Sequence, residues 1–137
     1  MFTKDNSMFA SKKGRHKSFF HYGESTPGVF SDVPLVILVN RNTASAAETL
    51  AGALQKLGLA VIVGEITFGK GIAQETFELS EEYKIKFTTK KIHFSDGSTA
   101  HVHGIKPDVE VDSSGKSDRV LSEGKKVLDK LIKKSEF

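Results

Sequence analysis

The 137-residue chain has no cysteine, no tryptophan and only three prolines. The absence of cysteine excludes disulfides, thiolate metal sites and a cysteine nucleophile, and leaves the redox compartment open. No apolar run approaches the roughly 20 residues that a membrane-spanning helix needs. The start, Met1-Phe2-Thr3-Lys4-Asp5, lacks the apolar centre of a signal peptide. Either the protein stays where it is made or an export signal lies outside this chain. The length fits a single domain at most. Ten phenylalanines, with many Val, Ile and Leu, supply a modest core. The net charge of +3 is concentrated in residues 1–30 and in a lysine cluster over 125–134. No nucleic-acid-binding motif accompanies these basic runs, so they read as solvated faces and no nucleic-acid partner is expected.

Residues 1–33 show no periodicity and read as an approach segment, with a possible short strand over 18–22 and a turn signal at Glu24-Ser25-Thr26-Pro27-Gly28. The continuous apolar run over 34–39 is the pattern of a strand covered on both faces, as in a parallel sheet. A helix follows over 45–57, with Ala47, Leu50, Ala51, Leu54 and Leu57 at helical spacing and Gly58 as C-cap. Residues 59–63 form a second buried strand. The three elements make a βαβ unit, expected to be parallel with a right-handed crossover. Beyond the loop Thr67-Phe68-Gly69-Lys70-Gly71, strands are expected over 74–79 and 83–94, then a hairpin at Asp96-Gly97 with 101–105 pairing back. Residues 107–111 read as a short extended piece. An amphipathic helix over 117–134 presents Val120, Leu121, Val127, Leu128, Leu131 and Ile132 on one side.

Ser45 stands where the first strand meets the helix, among the small residues Thr43-Ala44-Ser45-Ala46-Ala47. A hydroxyl at that junction projects from the end of a sheet, with a helix N-terminus behind it to stabilise negative charge. The N–H of Ala46 can face a developing oxyanion. The logic is that of a nucleophile elbow, without the Gly-x-Ser-x-Gly pattern. The competing reading is purely structural: Ser45-Ala46-Ala47-Glu48 fits a capping box, and a hydroxyl bonded to its own helix is a poorer nucleophile. Thr43 can take over part of the capping. Lys70 lies between glycines in an apolar loop. Buried there, its charged form would be penalised and its amine could take a serine proton; alternatively it is a surface lysine in a turn. Gly69-Lys70-Gly71 lacks the spacing of a nucleotide loop. Gln74, four residues on, can hold the lysine amine or be an ordinary polar residue at a strand start. His101 and His103 share one strand face without a third ligand of convincing spacing, so no metal is expected. Asp108, Glu110 and Asp112 alternate as the wet side of an edge strand.

Taken together, Asn40-Arg41-Asn42-Thr43-Ala44-Ser45-Ala46-Ala47-Glu48, Ala51-Gly52-Ala53-Leu54-Gln55 and the string from Val63 through Thr67-Phe68-Gly69-Lys70-Gly71-Ile72-Ala73-Gln74 resemble the core of the carboxyl-terminal processing peptidases, or tail-specific proteases. Gly104-Ile105-Lys106-Pro107-Asp108 resembles that family's Gly-Ile-x-Pro-Asp signature. The resemblance runs from about Pro34 to Val111. It implies an α/β fold related to the ClpP and crotonase type, and serine endopeptidase activity near the C-termini of protein substrates. It also implies a Ser-Lys dyad: Ser45 as nucleophile, Lys70 as general base, Gln74 as the lysine's partner and Ala46 N–H as one oxyanion donor. No cofactor and no metal are implied. Relatives are mostly exported to the periplasm, cell envelope or plastid lumen.

The sequence departs from the family pattern in three places. Two flanking hydroxyls of the usual Ser-Ala-Ser-Ala-Ser-Glu are changed. The Gln-Asp-x-Gly-Arg-Ala after the helix becomes Gln55-Lys56-Leu57-Gly58-Leu59-Ala60, without the acid and the arginine. Nothing matches a PDZ domain or the upstream Asn-Pro-Gly-Gly element whose glycine supplies the second oxyanion N–H. The organisation expected is an approach over 1–33, a partial peptidase core over 34–112 and a helical tail over 113–137, the C-terminal part of a larger protease. Apolar strand faces left uncovered would favour a homo-oligomer or association with the missing N-terminal part. Two competitors remain: a non-catalytic binding or assembly module of the same fold, and a crotonase-like acyl-CoA enzyme, for which no acyl-CoA pocket is visible in the sequence.

Overall fold

The computed structural model describes residues 2–3, 8–22, 28–114 and 118–135. It is an α/β structure of two sheets with a helix between them. Strands β3 (Val36–Val39), β4 (Val61–Gly64) and β7 (Val109–Glu110) form a parallel sheet in the order β3-β4-β7. Strands β1 (Met8–Gly14), β2 (Ser18–Tyr22), β5 (Ile72–Glu78) and β6 (Lys84–Phe94) form an antiparallel sheet in the order β2-β1-β6-β5. Helix α1 (Ala46–Lys56) connects β3 to β4, completing the expected parallel βαβ unit. Helix α2 (Arg119–Ser135) lies near the C-terminus.

The small residues of α1 explain its central place. Ala51, Gly52, Ala53 and Leu54 are buried, and they serve two cores. On one side Ala51 and Leu54 pack with Val39, Ala60 and Ile62 of the parallel unit. On the other, Ala53 packs with Phe94, Ala100 and Ile105 at the end of the antiparallel sheet. Helix α2 covers part of the opposite face of β3, where a Cβ at Gly124 would lie 3.7 Å from Val36 Cγ1. That cover is incomplete. Leu38 stays 41% exposed, so the run over 34–39 is not a strand buried on both faces; it is an edge strand with β4 on one side and, among the described residues, no strand on the other. At the end of β4, Gly64 takes φ 137°, and a Cβ there would collide with the Val39 carbonyl.

Two further expectations are corrected. Residues 1–33 are more than an approach: β1 and β2 supply half of the antiparallel sheet, and β1 pairs with β6 from Ala10↔Phe94 to Gly14↔Lys90. Residues 101–103 form a turn, not a returning strand, with Val102 at φ 74° and Gly104 N–H bonded to Ala100 O at 2.9 Å. His101 and His103 therefore share no strand face. The piece after Pro107 is the edge strand expected, with Asp108, Glu110 and Asp112 exposed; Asp108 also ties it to its neighbours, with Oδ2 accepting from Ile62 N–H at 2.7 Å and Oδ1 from Gln55 Nε2 at 3.0 Å. Residues 24–27 of the proposed turn and residue 117 of the proposed helix lie outside the described residues.

Candidate active site

After β3 the chain closes a tight turn. Thr43 N–H donates to Asn40 O at 2.9 Å, and Asn40 N–H donates to Thr43 Oγ1 at 3.1 Å. Thr43 thus braces the turn, and does not cap the helix. Ser45 follows at φ 59°, ψ −115°. Positive φ in a residue with a Cβ stores on the order of 1–3 kcal/mol of strain and persists only where its surroundings hold it. Ser45 and Glu48 occupy capping-box positions at the head of α1. The Glu48 arm is closed, with Ser45 N–H donating to Oε2 at 2.8 Å; the Ser45 side chain faces the Glu48 N–H as the other arm of the box, without a full cap hydrogen bond. The hydroxyl is thus only weakly held by its own helix, and Ser45 also lines the cleft that Lys70 shares. Ala46 is the first residue of α1, so its N–H has no intrahelical acceptor.

Glu48 does more than half-cap a helix. Its side chain is among the largest fully buried ones, at 0% exposure. Oε1 accepts from Thr67 Oγ1 at 2.5 Å and from Gly69 N–H at 2.6 Å; Oε2 accepts from Ser45 N–H and from Lys70 N–H at 2.8 Å. Burial pushes this carboxyl's pKa up, and the hydrogen bonds from Thr67, Gly69, Lys70 and Ser45 outweigh it, holding the group below the ordinary glutamate range. One carboxylate thereby fastens the serine turn to the lysine loop. Phe68 N–H adds a second tie, to Thr43 O at 3.0 Å. Thr67 extends the network, accepting from Ile105 N–H at 2.7 Å. Gly104, at φ 72°, lets that segment pass close over the Thr67 carbonyl. The Gly-Ile-x-Pro-Asp signature is thus an anchor for the lysine loop and for β4. The sequence marks Glu48 only as a capping residue; its reach to residues 67–70 depends on the fold.

Ser45, Ala46, Lys70 and Gln74 line one cleft of about 500 Å³, together with residues of β1 and β6. The structure thus brings all four sequence-derived candidates together. Gln74 follows a β-bulge between Ala73 and Gln74, a device that re-aims side chains beside functional sites. Two expectations are not met. Lys70 is exposed, not buried, because its side chain lies in an open cleft while its backbone is held by Glu48. No hydrogen bond among the described residues joins the Ser45 hydroxyl, the Lys70 amine and the Gln74 amide. Among the described residues no group of three or more His, Asp or Glu is placed to hold a metal ion.

Ser45 thus stands at a strained junction between a parallel strand and a helix N-terminus, open to a cleft, on an α/β scaffold. The family model of Peptidase family S41 matches residues 1–111. The chain is 45% identical over 102 residues to the carboxyl-terminal-processing protease of Synechocystis sp., covering 74% of this chain and 23% of that protein. It is 41% identical over 91 residues to the chloroplastic C-terminal processing peptidase of Tetradesmus obliquus, covering 66% and 20%. Among solved structures, the photosystem II D1 C-terminal processing protease superposes with a TM-score of 0.76 at 30% identity, covering 90% of this chain and 32% of that one. The chain belongs to peptidase family S41, and it spans under a quarter of the length of these curated relatives.

Proposed function

We propose that this chain carries the nucleophile and base of a serine endopeptidase that cuts proteins near their C-termini. Ser45 Oγ attacks the scissile carbonyl carbon while the neutral Lys70 amine takes its proton. The C–N bond breaks, the leaving amine takes that proton, and water then hydrolyses the Ser45 ester by the same path in reverse roles. Ala46 N–H holds the oxyanion, and Gln74 positions the Lys70 amine. The observation that carries this reading is the Ser45 turn: its strained backbone, pinned by Glu48, presents Ser45 to the same cleft as Lys70 with no full cap hydrogen bond to its helix. The second oxyanion donor that the family resemblance implies belongs to an Asn-Pro-Gly-Gly element absent from this sequence. Loss of one such donor typically costs about 100- to 1000-fold in rate.

The exposure of Lys70 favours a second reading, a non-catalytic binding or assembly module of the same fold. On the first reading, bound substrate or another part of the protein must cover the amine. The edge position of β3 offers a place for such association. The test is cleavage of an unstructured protein with an apolar C-terminus by this chain, by its Ser45→Ala variant, and by a version extended upstream with an Asn-Pro-Gly-Gly element. Cleavage that Ser45→Ala abolishes, in either active form, supports the dyad. No Ser45-dependent cleavage in any form removes the peptidase reading in favour of the module.

A further inference from the structure

The cleft that holds Ser45 has an apolar wall and two further cations. Leu50, Ile72 and Ile92 supply apolar surface, while Lys12 and Lys86 join Lys70 on the polar side; among the described residues no Asp or Glu lines it. The placement follows from strand register. Lys12 of β1 stands opposite Ile92 of β6. Lys86 pairs across to Thr76 of β5, on the far side of the bulge that places Thr89 as the extra residue of β6, and it lines the same cleft as Ile92.

The charges on that face are not treated alike. Lys84 is paired with Glu78 at 2.5 Å, and Lys90 is paired with Glu75. Lys86 lies between them and makes no ion pair among the described residues, and neither does Lys12. Of the three β6 lysines outside the cleft, Lys84 and Lys90 are neutralised and Lys91 is not; Lys86, which lines the cleft, is left available in it together with Lys12 from β1. The N-terminus of α1 adds its partial positive charge beside them.

We infer that Lys12 and Lys86 select substrates with a carboxylate close to the bond presented to Ser45. An acidic side chain or the substrate's own C-terminal carboxylate supplies it, with an apolar residue alongside for Leu50, Ile72 and Ile92. This inference rests on the reading of the cleft as the substrate site. Lys12 and Lys86 act in recognition and take no part in proton transfer.

The experiment measures binding, which needs no turnover. The Ser45→Ala chain is titrated into fluorescent peptides rich in apolar residues, prepared with internal Glu or Gln and with a free or amidated C-terminus, and anisotropy is followed. The expected result is about three- to tenfold tighter binding of a carboxylate form, the range two partly exposed ion pairs supply. That advantage shrinks at roughly 0.5 M salt, where charges are screened within a few ångströms. It disappears in Lys12→Gln/Lys86→Gln and survives in Lys84→Gln/Lys130→Gln, which makes the same charge change elsewhere. A Glu-over-Gln preference assigns the carboxylate to a side chain; a free-over-amidated preference assigns it to the terminus. Equal binding of all forms, a preference that survives loss of Lys12 and Lys86, or no binding of any peptide overturns the inference. Discrimination without Ser45-dependent cleavage would leave carboxylate recognition standing and remove the peptidase reading. Cleavage without discrimination would do the reverse.

Discussion

Replacing Glu48 by Gln isolates what holds the serine turn to the lysine loop, because it keeps the side-chain shape and alters only charge and acceptor count. The carboxylate accepts four hydrogen bonds, two at each oxygen. An amide keeps one accepting oxygen and puts an NH2 group in place of the other. With the NH2 toward Ser45 and Lys70, two N–H donors face a donor in a fully buried site; turned the other way, the Thr67 hydroxyl can reverse to accept and Gly69 N–H is the one left facing a donor. A hydrogen bond to a charged group contributes about 1.5–3 kcal/mol, so losing at least one costs about 1.5–3 kcal/mol. That is a sizeable part of the roughly 7–15 kcal/mol expected for a domain of this length, and corresponds to a midpoint lowered by roughly 5–10 °C. Thermal unfolding followed by circular dichroism at neutral pH reads it directly. Glu75→Gln, which removes an exposed ion pair to Lys90, serves as the control and costs less than about 1 kcal/mol. The pH dependence gives an independent check. Because the folded-state pKa of Glu48 lies below its ordinary value of 4.5, its contribution is fully present above that value. It is lost as pH falls through the lower folded-state pKa. Glu48→Gln should therefore flatten the acid limb of the stability profile below about pH 4.5. A Glu48→Gln chain that melts within a degree or two of the parent, with an unchanged acid limb, would refute the argument.

Asp108→Ala removes the acceptor for Ile62 N–H and for Gln55 and should cost about 1.5–3 kcal/mol by denaturant unfolding. Asp108→Asn, which keeps one accepting oxygen, should recover part of that loss. Gly64→Ala places a methyl group against the Val39 carbonyl at a backbone angle that disfavours side chains, so the variant should fail to give a cooperative unfolding transition. Phe77→Ala breaks a stacked pair with Phe87, whose centroids are 4.9 Å apart on an exposed surface. It should lower stability by only about 0.5–1.5 kcal/mol and leave any Ser45-dependent cleavage unchanged.

The parts of this fold that are legible in the sequence are those whose pattern is local. Residues 36–39 and 61–64 are β-branched runs, residues 46–56 keep helical spacing, and Asp96-Gly97 marks a turn that the structure retains, with Gly97 N–H bonded to Phe94 O at 3.0 Å. Strand β1 is illegible for the opposite reason. Met8–Gly14 has no alternation, and it is a strand because β2 and β6 lie on either side of it. Its partner on β6 is some eighty residues away, and strand preference depends more on such context than on the residues themselves. The turn over 101–103 is hidden in the same way. Val102 looks like a strand residue, yet its N–H is taken by Gly69 O at 2.9 Å and its φ is positive. Among the candidate site residues, Ser45, Lys70 and Gln74 came from a motif, and local chemistry alone left each with an ordinary structural alternative. The burial expected for Lys70 failed because a glycine-rich, apolar loop can bury its backbone and leave its longest side chain in a cleft.

The competition between capping and nucleophilic attack at Ser45 is resolved by moving one function to another residue. A serine at an N-cap normally takes an extended backbone conformation and gives its hydroxyl oxygen to the helix. Here φ is 59° and the side chain keeps its capping-box place without a full cap hydrogen bond, so the helix start loses part of the roughly 1 kcal/mol of capping on top of the turn's strain. Glu48 offsets both. Its bond to Ser45 N–H pins the strained residue from behind, and its bonds to Gly69 and Lys70 use the same carboxylate to set the loop opposite. The strain and the four-bonded carboxylate are therefore one device. Relieving either should release the other, and a Ser45→Gly chain, free of the strain, should tolerate Glu48→Gln measurably better than the parent does, a coupling that a double-mutant cycle measures.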